Sequence, residues 1–459
     1  MREYFEKLVA GIWNRVATPR RRKVSYHGLR LGFRVQDEIT TNVPFEIPQA
    51  KRAEHLATLG RTGRGKTRFI QFLQQQDLRQ ARGFADFGLH GDTTTFLLRS
   101  IADEERRLGC DLSDQLIVVK PADPEYSVGL NFLERMTGHH GFVRVSEFAE
   151  ILKQRWHLDS FGARTDELLR NALYAVAENN LTLLELAPFL SHAQFRAACL
   201  KLVTNPEVRQ YFELRYDQAS EPMRAVMREP ILNKTSAFTA DPHFRHFVGQ
   251  TTSTFSLSEA LDQKRWILFD FSKAELGEHA ITSATMCFTA LSHAVFSRQT
   301  RQLFPIYCDE VHNLVAHHNE FETVLSEARK FGGAIIAANQ FLDQYPPEMR
   351  SAILAVGTHV FFQLSAPDAQ FVANALDGGK PLAELLKNLP QRHMVVKTGS
   401  ERWQEVQVPI VNEPKTDYAD LYDRSRKRWA RKRTEIEKEI AERQAIIRHT
   451  GEEALRDWE

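Results

Sequence analysis

One octapeptide constrains the fold of this chain more than any other segment. It reads Gly60-Arg61-Thr62-Gly63-Arg64-Gly65-Lys66-Thr67 and fits the pattern G-x-x-x-x-G-K-[ST] at every position. An apolar run at 55–59 precedes it, and a run with helical spacing at 68–76 follows it. A glycine-rich loop between a strand and a helix lets backbone N–H groups turn toward phosphates, and the helix N-terminus favours negative charge. The segment therefore predicts a phosphate-binding loop, called the phosphate loop below, rather than a chance glycine-rich turn.

The phosphate loop supplies candidate ligands for a nucleotide. Lys66 is expected to reach the β- and γ-phosphates, and the Thr67 hydroxyl is expected to coordinate Mg²⁺. The other predicted nucleotide-binding residues are Gly60, Thr62, Gly63, Arg64 and Gly65. ATP and Mg²⁺ are therefore the predicted cofactors.

A second segment supplies the acidic groups that hydrolysis of a bound nucleotide requires. Apolar residues at 304–308 are followed directly by Asp309 and Glu310. This pattern indicates a buried strand whose carboxyl end holds Asp309 near the metal, while Glu310 polarises the attacking water. The alternative is a strand that ends in a solvated acidic turn. The phosphate loop upstream favours the first interpretation.

Bulk composition excludes several classes of protein. The 459 residues carry a net charge of +1, which excludes a uniformly basic nucleic-acid coat but not a local basic patch. The four cysteines lack C-x-x-C spacing, which predicts reduced core thiols in a cytosolic protein rather than disulfides or a zinc site. A run of about eighteen apolar residues, long enough to span a membrane, does not occur in the sequence. The predicted location is cytoplasmic.

The N-terminus carries an amphipathic pattern. Apolar residues recur with helical spacing from Tyr4 to Val16, and the basic run Arg20-Arg21-Arg22-Lys23 follows. This pairing is typical of a helix that lies on an anionic membrane surface or docks on a partner. A plain amphipathic helix packed on the body of the protein is an equal alternative.

The spacing of apolar runs predicts the fold class, an α/β protein with a mostly parallel sheet flanked by helices. The runs lie at 55–59, 83–87, 115–119, 265–271, 303–308, 333–338, 359–364 and 393–397. Helical patterns separate most of them, as in parallel sheets covered on both faces. About 145 residues with helical periodicity lie between the third and fourth runs and predict an inserted all-helical domain.

Five regions are predicted from these patterns. They are 1–50, an N-terminal amphipathic helix and short β segment; 51–141, the first part of the core; 142–262, the inserted all-α domain; 263–412, the second part of the core; and 413–459, a basic helical tail. In the tail, seven of the ten residues from Arg424 to Arg433 are basic. Such a run suits contact with nucleic-acid phosphates, and a solvated helix face is the alternative.

Three stretches outside the nucleotide motifs resemble one protein family. Residues 85–92 (ADFGLHGD) resemble a D-P-H-G-D turn after the second strand, and residues 123–131 (DPEYSVGLN) resemble a segment that ends in g-l-N. Residues 327–333 (EARKFGG) lead through an apolar run to Asn339-Gln340, like the signature G-R-K-f-G…Q. Together these motifs are similar to those of the HerA/FtsK superfamily of P-loop ATPases, most of all the type IV secretion coupling ATPases of the TraD/TraG kind. The resemblance spans about residues 50 to 410.

The resemblance implies a RecA-like core and a motor that works as a ring of six and moves DNA through a central channel. It implies that Gln340 senses the γ-phosphate and that Arg329 acts on the nucleotide of a neighbouring subunit. With Glu310, these are the predicted catalytic residues. The chain departs from the family in lacking a pair of N-terminal transmembrane helices and in the residues that follow Asp86. Asp86 itself is predicted either to support the metal from behind or to occupy a turn.

These observations predict an ATPase that couples hydrolysis to DNA translocation, as in conjugation and type IV secretion. The predicted partners are DNA, other copies of the chain in a hexameric ring, and a nuclease, a relaxase or a secretion-channel component. One alternative is a DNA-processing or anti-phage defence ATPase that works with a separate nuclease. Another is a nucleotide-gated assembly scaffold that moves nothing. Peripheral docking at the inner face of a membrane, through the N-terminal helix, is the alternative to a purely cytoplasmic location.

Overall fold

The structure, a computed structural model, describes residues 28–134, 140–315 and 318–456. The predicted N-terminal amphipathic helix and the basic run after it lie outside the described residues. The first described element is a β-hairpin, and the last is a helix that ends at Arg456.

Thirteen strands are present in the described residues, and eleven of them form one sheet. Their bounds are β1 Gly28–Gln36, β2 Ile39–Pro48, β3 Leu56–Leu59, β4 Phe84–Gly88, β5 Leu116–Val119, β6 Tyr126–Ser127, β7 Trp266–Asp270, β8 Phe304–Asp309, β9 Gly333–Asn339, β10 Thr358–Phe361, β11 His393–Thr398, β12 Gln404–Gln407 and β13 Arg431–Lys432. The order in the large sheet is β2-β1-β12-β11-β10-β3-β9-β8-β4-β7-β5. All eight predicted apolar runs form strands of this sheet.

The seven strands from β10 to β5 in this order run parallel. Six of these strands are short and buried along their length, except for the half-exposed last residue of β8. They are β3, β4, β5, β7, β8 and β9. Strands β11, β12, β1 and β2 continue the sheet in antiparallel fashion. The predicted α/β class with a mostly parallel, RecA-like sheet is confirmed.

Helices cover both faces of the sheet. The core helices are Gln49–Arg52, Lys66–Arg79, Asp92–Leu108, Lys273–Leu276, His279–Ser297, His318–Glu327, Pro347–Leu354, Ala366–Ala375 and Gly379–Asn388. Apolar residues of Lys66–Arg79 and Asp92–Leu108 belong to the core on one face, and those of His279–Ser297 belong to the core on the other. Within the described residues, His279–Ser297 is the one helix long and apolar enough to cross a membrane, but 72% of its apolar window is buried inside the protein. Packing against the sheet therefore accounts for its apolar composition.

The segment between β6 and β7 is helical throughout its regular structure. Its α-helices are His140–Arg155, Ala163–Glu178, Leu186–Ser191, Ala193–Leu202, Pro206–Gln210, Glu221–Thr239, Pro242–Val248 and Leu257–Asp262, and a π-helical turn spans Tyr211–Tyr216. Buried apolar residues of this segment are continuous with the core on the His279–Ser297 face of the sheet.

The C-terminal residues form a strap across the body, defined here as residues 419–456. The strap consists of helix Ala419–Trp429, strand β13 and helix Arg433–Arg456. The Ser425 hydroxyl donates to the carbonyl of Leu116 on the edge strand β5 at 2.7 Å, and β13 pairs with β6. Ile436 and Ile440 of the last helix are buried. The strap is therefore packed on the body through helix Ala419–Trp429, β13 and the first part of the last helix.

Candidate nucleotide-binding site

The phosphate loop connects the end of β3 to helix Lys66–Arg79. The Gly60 N–H donates to the Asn339 carbonyl at 3.3 Å, and the Arg61 N–H donates to the Gln363 carbonyl at 2.9 Å, so the neighbouring strands hold the start of the loop. A Cβ on Gly60 would lie 2.5 Å from the Phe362 Cβ, which leaves no room for a side chain. Gly65 has a φ of +114°, a conformation that glycine alone adopts without strain. The glycines therefore set the path of the loop.

A cleft of about 380 Å³ lies above the loop and brings most predicted site residues together. It is lined by Thr62, Gly63, Gly65, Lys66, Thr67, Arg68, His90, Asp309, Glu310, Gln340, Gln391 and Arg392. The phosphate loop meets the acidic pair and Gln340 because β9 lies beside β3, β8 lies beside β9, and the carboxyl ends of all three strands point to the same side of the sheet. Gly60 and Arg64 belong to the loop but do not line the cleft.

Lys66 lies at the floor of the cleft and is almost completely buried. Its ammonium donates to the carbonyl oxygens of Gly60 and, at 3.2 Å, of Arg61. Burial lowers the pKa of Lys66, and the nearby Asp309 and Glu310 carboxylates oppose that shift. The loop thus holds a cation at its centre through weak carbonyl contacts that an anionic phosphate can replace.

The two acidic residues lie in different electrostatic environments. Burial raises the pKa of Asp309, and Lys66 only partly offsets the effect. Burial also acts to raise the pKa of Glu310, but the charges of Lys273 and His90 outweigh it, so the pKa lies below its ordinary value. Glu310 is therefore a carboxylate at neutral pH and can accept a hydrogen bond from a water.

Gln340 bridges the phosphate loop and the acidic pair. Its Oε1 accepts from the Thr62 hydroxyl at 2.8 Å, and its Nε2 donates to Glu310 at 3.2 Å. Glu310 also accepts from Asn313 at 3.0 Å and pairs with Lys273 at 3.3 Å. The Glu310 carboxylate is therefore held by three neighbouring side chains. The backbone of Glu310 has a φ of +53°, which is uncommon for glutamate.

The donor set fits a hard divalent cation next to phosphates. A threonine hydroxyl and a carboxylate, from Thr67 and Asp309, are ligands that Mg²⁺ uses together with phosphate oxygens and water. Among the described residues, no cluster of three His, Cys, Asp or Glu side chains is arranged to hold a metal alone. The residues present therefore fit a metal that enters with a nucleotide.

Arg329 is not part of this cleft. It lies in the turn of 3₁₀-helix Ala328–Phe331, before β9 begins, whereas Gln340 follows the end of β9. Its guanidinium pairs with Glu54 at 3.3 Å and is 60% exposed. The cleft of the same chain lies at the carboxyl ends of the parallel strands, whereas Arg329 lies at the amino end of β9. Action of Arg329 on a neighbouring subunit stays a prediction.

Several residues that the structure places at the site were not predicted from the sequence. His90 and Lys273 follow β4 and β7, so the rule that ligands gather at the carboxyl ends of parallel strands would have found them. Gln391 and Arg392 precede β11, and no local pattern shows that this strand runs antiparallel to β10. Their place in the site depends on long-range pairing.

Asp86 lies inside β4, which excludes the predicted turn role. It is buried and accepts a hydrogen bond from the Gln74 amide of helix Lys66–Arg79 at 2.5 Å. Burial, with the charges of Asp309 and Asp270, raises its pKa to about 8, although the Gln74 hydrogen bond opposes the shift. Asp86 is thus a largely protonated group behind the cleft, and support of the metal from behind stays a prediction.

Known structures share this architecture. No family model and no curated protein sequence matches the chain. The bacterial conjugative coupling protein TrwBΔN70 in its unbound form is 14% identical with a TM-score of 0.61, over 87% of this chain and 93% of that one. TrwB in complex with ADP and Mg²⁺ is 15% identical with a TM-score of 0.60, over 86% and 98% of the two chains. VirB4 of Thermoanaerobacter pseudethanolicus is 14% identical with a TM-score of 0.56, over 85% and 99%. The chain therefore has the RecA-like fold of the conjugative coupling protein TrwB, in agreement with the family that its motifs resemble.

Proposed function

We propose that this protein is a Mg²⁺-dependent ATPase of the coupling-protein kind that moves DNA. The observation that best supports ATPase activity is that the phosphate loop, Asp309, Glu310 and Gln340 line one cleft. Each of these residue types supplies a group that phosphoryl transfer uses. The TrwB structures with ADP and Mg²⁺ and with a non-hydrolysable ATP analogue support the same use of this fold.

The residues of the cleft divide the chemistry among them. Lys66 exchanges its carbonyl contacts for the β- and γ-phosphates, and the N–H groups of the loop surround the phosphates. Thr67 and Asp309 would hold Mg²⁺, which would neutralise charge on the phosphate oxygens. Glu310 orients and polarises the water that attacks, because it is ionised and faces the cleft. Gln340 links Glu310 to the loop and so relates the position of the carboxylate to the presence of the terminal phosphate.

DNA translocation by a hexameric ring is the finer part of the proposal. The fold shared with a conjugative coupling protein supports it. The exposed guanidinium of Arg329, distant from its own cleft, supports a site completed by a second copy. The proposal extends to a relaxase, nuclease or secretion-channel partner and to a cytoplasmic location at or near a membrane.

The basic run of the strap is not assigned to DNA. Most of its cations are paired within the protein: Arg424 with Glu105, Arg426 with Glu125, Lys427 with Asp423, Arg428 with Asp114 and Arg431 with Glu439. Lys432 is exposed and makes no ion pair with any acidic side chain in the described part of the chain. The structure therefore does not present seven free charges. Arg424, Arg426 and Arg428 attach the strap to the body, whereas Lys427 and Arg431 pair within the strap.

Measuring ATP turnover with and without DNA tests the proposal. Purified protein with Mg²⁺ should hydrolyse ATP, and double- or single-stranded DNA should stimulate the rate, whereas Lys66→Ala should be inactive under both conditions. Particle images of the ATP-bound protein should show closed rings. ATP-dependent rings without DNA stimulation would favour the assembly scaffold, and absence of any turnover in the wild type would refute the ATPase.

A further inference from the structure

One wall of the cleft, formed by Gln391 and Arg392, has no part in the chemistry proposed above. These residues directly precede β11, which runs antiparallel to β10 with Val395 opposite Phe361. Because β11 runs against the parallel strands, its beginning rather than its end reaches the edge where the phosphate loop lies. Both residues line the same cleft as Lys66.

The wall touches the phosphate loop directly. The Arg392 N–H donates to the Arg64 carbonyl at 3.1 Å, and the Gln391 amide donates to the Gly63 carbonyl at 3.4 Å. A Cβ on Gly65 would lie 3.5 Å from the Arg392 Cα, which is ordinary van der Waals contact. The two backbones are therefore packed against each other.

Arg392 keeps a strained backbone conformation. Its φ is +68°, in the left-handed region that a residue with a side chain rarely adopts. The Arg392 carbonyl accepts from the Val408 N–H at 2.9 Å, and its guanidinium donates to the Val408 carbonyl at 3.3 Å. Strain of this kind persists only where surrounding structure imposes it, and it is common at ligand sites. The fold thus fixes the Arg392 Cα beside the mouth of the cleft.

The sheet order places this wall and the acidic residues on opposite sides of the phosphate loop. Strand β3, which leads into the phosphate loop, lies between β9 and β10. Glu310 and Gln340 come from the β8 and β9 side, so they mark the end of the site that receives the terminal phosphate. The wall comes from the β10 and β11 side, across the phosphate loop from that end.

We propose that Gln391 and Arg392 form the nucleoside-side wall of the nucleotide site, with the Arg392 guanidinium contacting the ribose and base. The inference rests on the proposed nucleotide-binding function. A planar guanidinium can donate to hydroxyl and base acceptors in a fixed geometry and can stack on a flat ring. Among the described residues, no Phe, Tyr or Trp lines the cleft. A guanidinium is thus the planar group that the wall offers to a base.

Comparing two ligands separates this contact from simple support of the loop. ATP with Mg²⁺ carries a nucleoside, whereas inorganic tripolyphosphate with Mg²⁺ carries the phosphates alone. Calorimetric titration of Arg392→Met should show ATP bound about tenfold more weakly, as expected for losing one charge-assisted contact. Binding of tripolyphosphate should change by less than about threefold, because the Arg392 N–H bond to Arg64 survives the substitution.

Two further variants complete the test. Arg402→Met, in the exposed turn at the far end of the same β11–β12 hairpin, should leave both affinities unchanged. Arg392→Lys keeps the charge but loses the planar fork, so ATP binding should stay weakened. Equal weakening of both ligands by Arg392→Met, unchanged ATP binding, or full recovery in Arg392→Lys would each overturn the nucleoside contact. If the wild type binds neither ligand, the proposed nucleotide-binding function fails instead.

Discussion

Replacing Arg329 with alanine tests whether two subunits share one site. Arg329 lies before β9 and Gln340 after it, and the strand between them has seven residues. At about 3.3 Å per residue, the two ends of β9 are separated by roughly 20 Å, which one side chain does not span. Any direct action of Arg329 on hydrolysis must therefore take place in a neighbouring cleft.

The expected loss is large in turnover and small in stability. Arginine residues that act across subunits in other phosphate-loop enzymes contribute on the order of 10³–10⁵ in kcat. The pair of Arg329 with Glu54 is 60% exposed on the arginine side, and such surface pairs are worth about 0–1 kcal/mol. We expect Arg329→Ala to bind ATP nearly as the wild type does, to unfold at nearly the same temperature, and to hydrolyse ATP at least about 10³-fold more slowly.

Mixing two inactive variants distinguishes the models. In a ring, each site would join the phosphate loop of one subunit to Arg329 of the next. With equal amounts of Arg329→Ala and Lys66→Ala, about a quarter of the sites combine an intact loop with an intact arginine, so about a quarter of the wild-type rate should return. Lys330→Ala, next to Arg329 and paired with Glu327, is the control and should hydrolyse ATP normally. Mixed rings that assemble but stay inactive at every ratio would refute the shared site.

Three other perturbations test the remaining arguments. Lys66→Ala should lose nucleotide affinity in a binding titration, whereas Glu310→Gln should bind ATP but show a much lower kcat; near-normal turnover would remove Glu310 from catalysis. Neutralising Arg426, Lys427, Arg431 and Lys432 together should make the plot of log binding constant against log salt concentration less steep by at most about 0.9 for duplex DNA, because of these four only Lys432 has no ion pair among the described residues. A decrease in slope of about 3.6 would show that DNA breaks the ion pairs of the other three. Burial lowers the pKa of His55 to about 4, so the folded state binds its proton less readily than the unfolded state does. The contribution of His55 to the free energy of unfolding should therefore be fully present above about pH 6.5 and decline by on the order of 3 kcal/mol toward pH 4. In denaturant titrations, His55→Asn should flatten this decline. If the variant declines in acid as steeply as the wild type, other groups cause the decline.

Much of the core was predictable because its signals are local. Each parallel strand is a short apolar run bounded by polar residues, since both of its faces are covered by helices. The phosphate loop is contiguous in sequence, so its composition alone indicates its backbone path. Asp309 and Glu310 were predictable at the site because they lie at the carboxyl end of a parallel strand, whereas Gln340 was predicted from the family resemblance.

The antiparallel half of the site was not predictable in this way. Nothing in residues 391–393 shows that β11 pairs antiparallel with β10 and brings Arg392 against Arg64. The same holds for the strap, where Arg426 looks like part of a free basic run but pairs with Glu125, about 300 residues earlier.

Local sequence thus specified the strands, the phosphate loop and the acidic pair of this protein, because periodicity and turn chemistry act over a few residues. The order of the strands, the partners of the strap cations and the wall opposite Glu310 came from tertiary packing. Most of these contacts join residues far apart in the chain and form only when the whole fold brings the two partners together, which no single segment encodes.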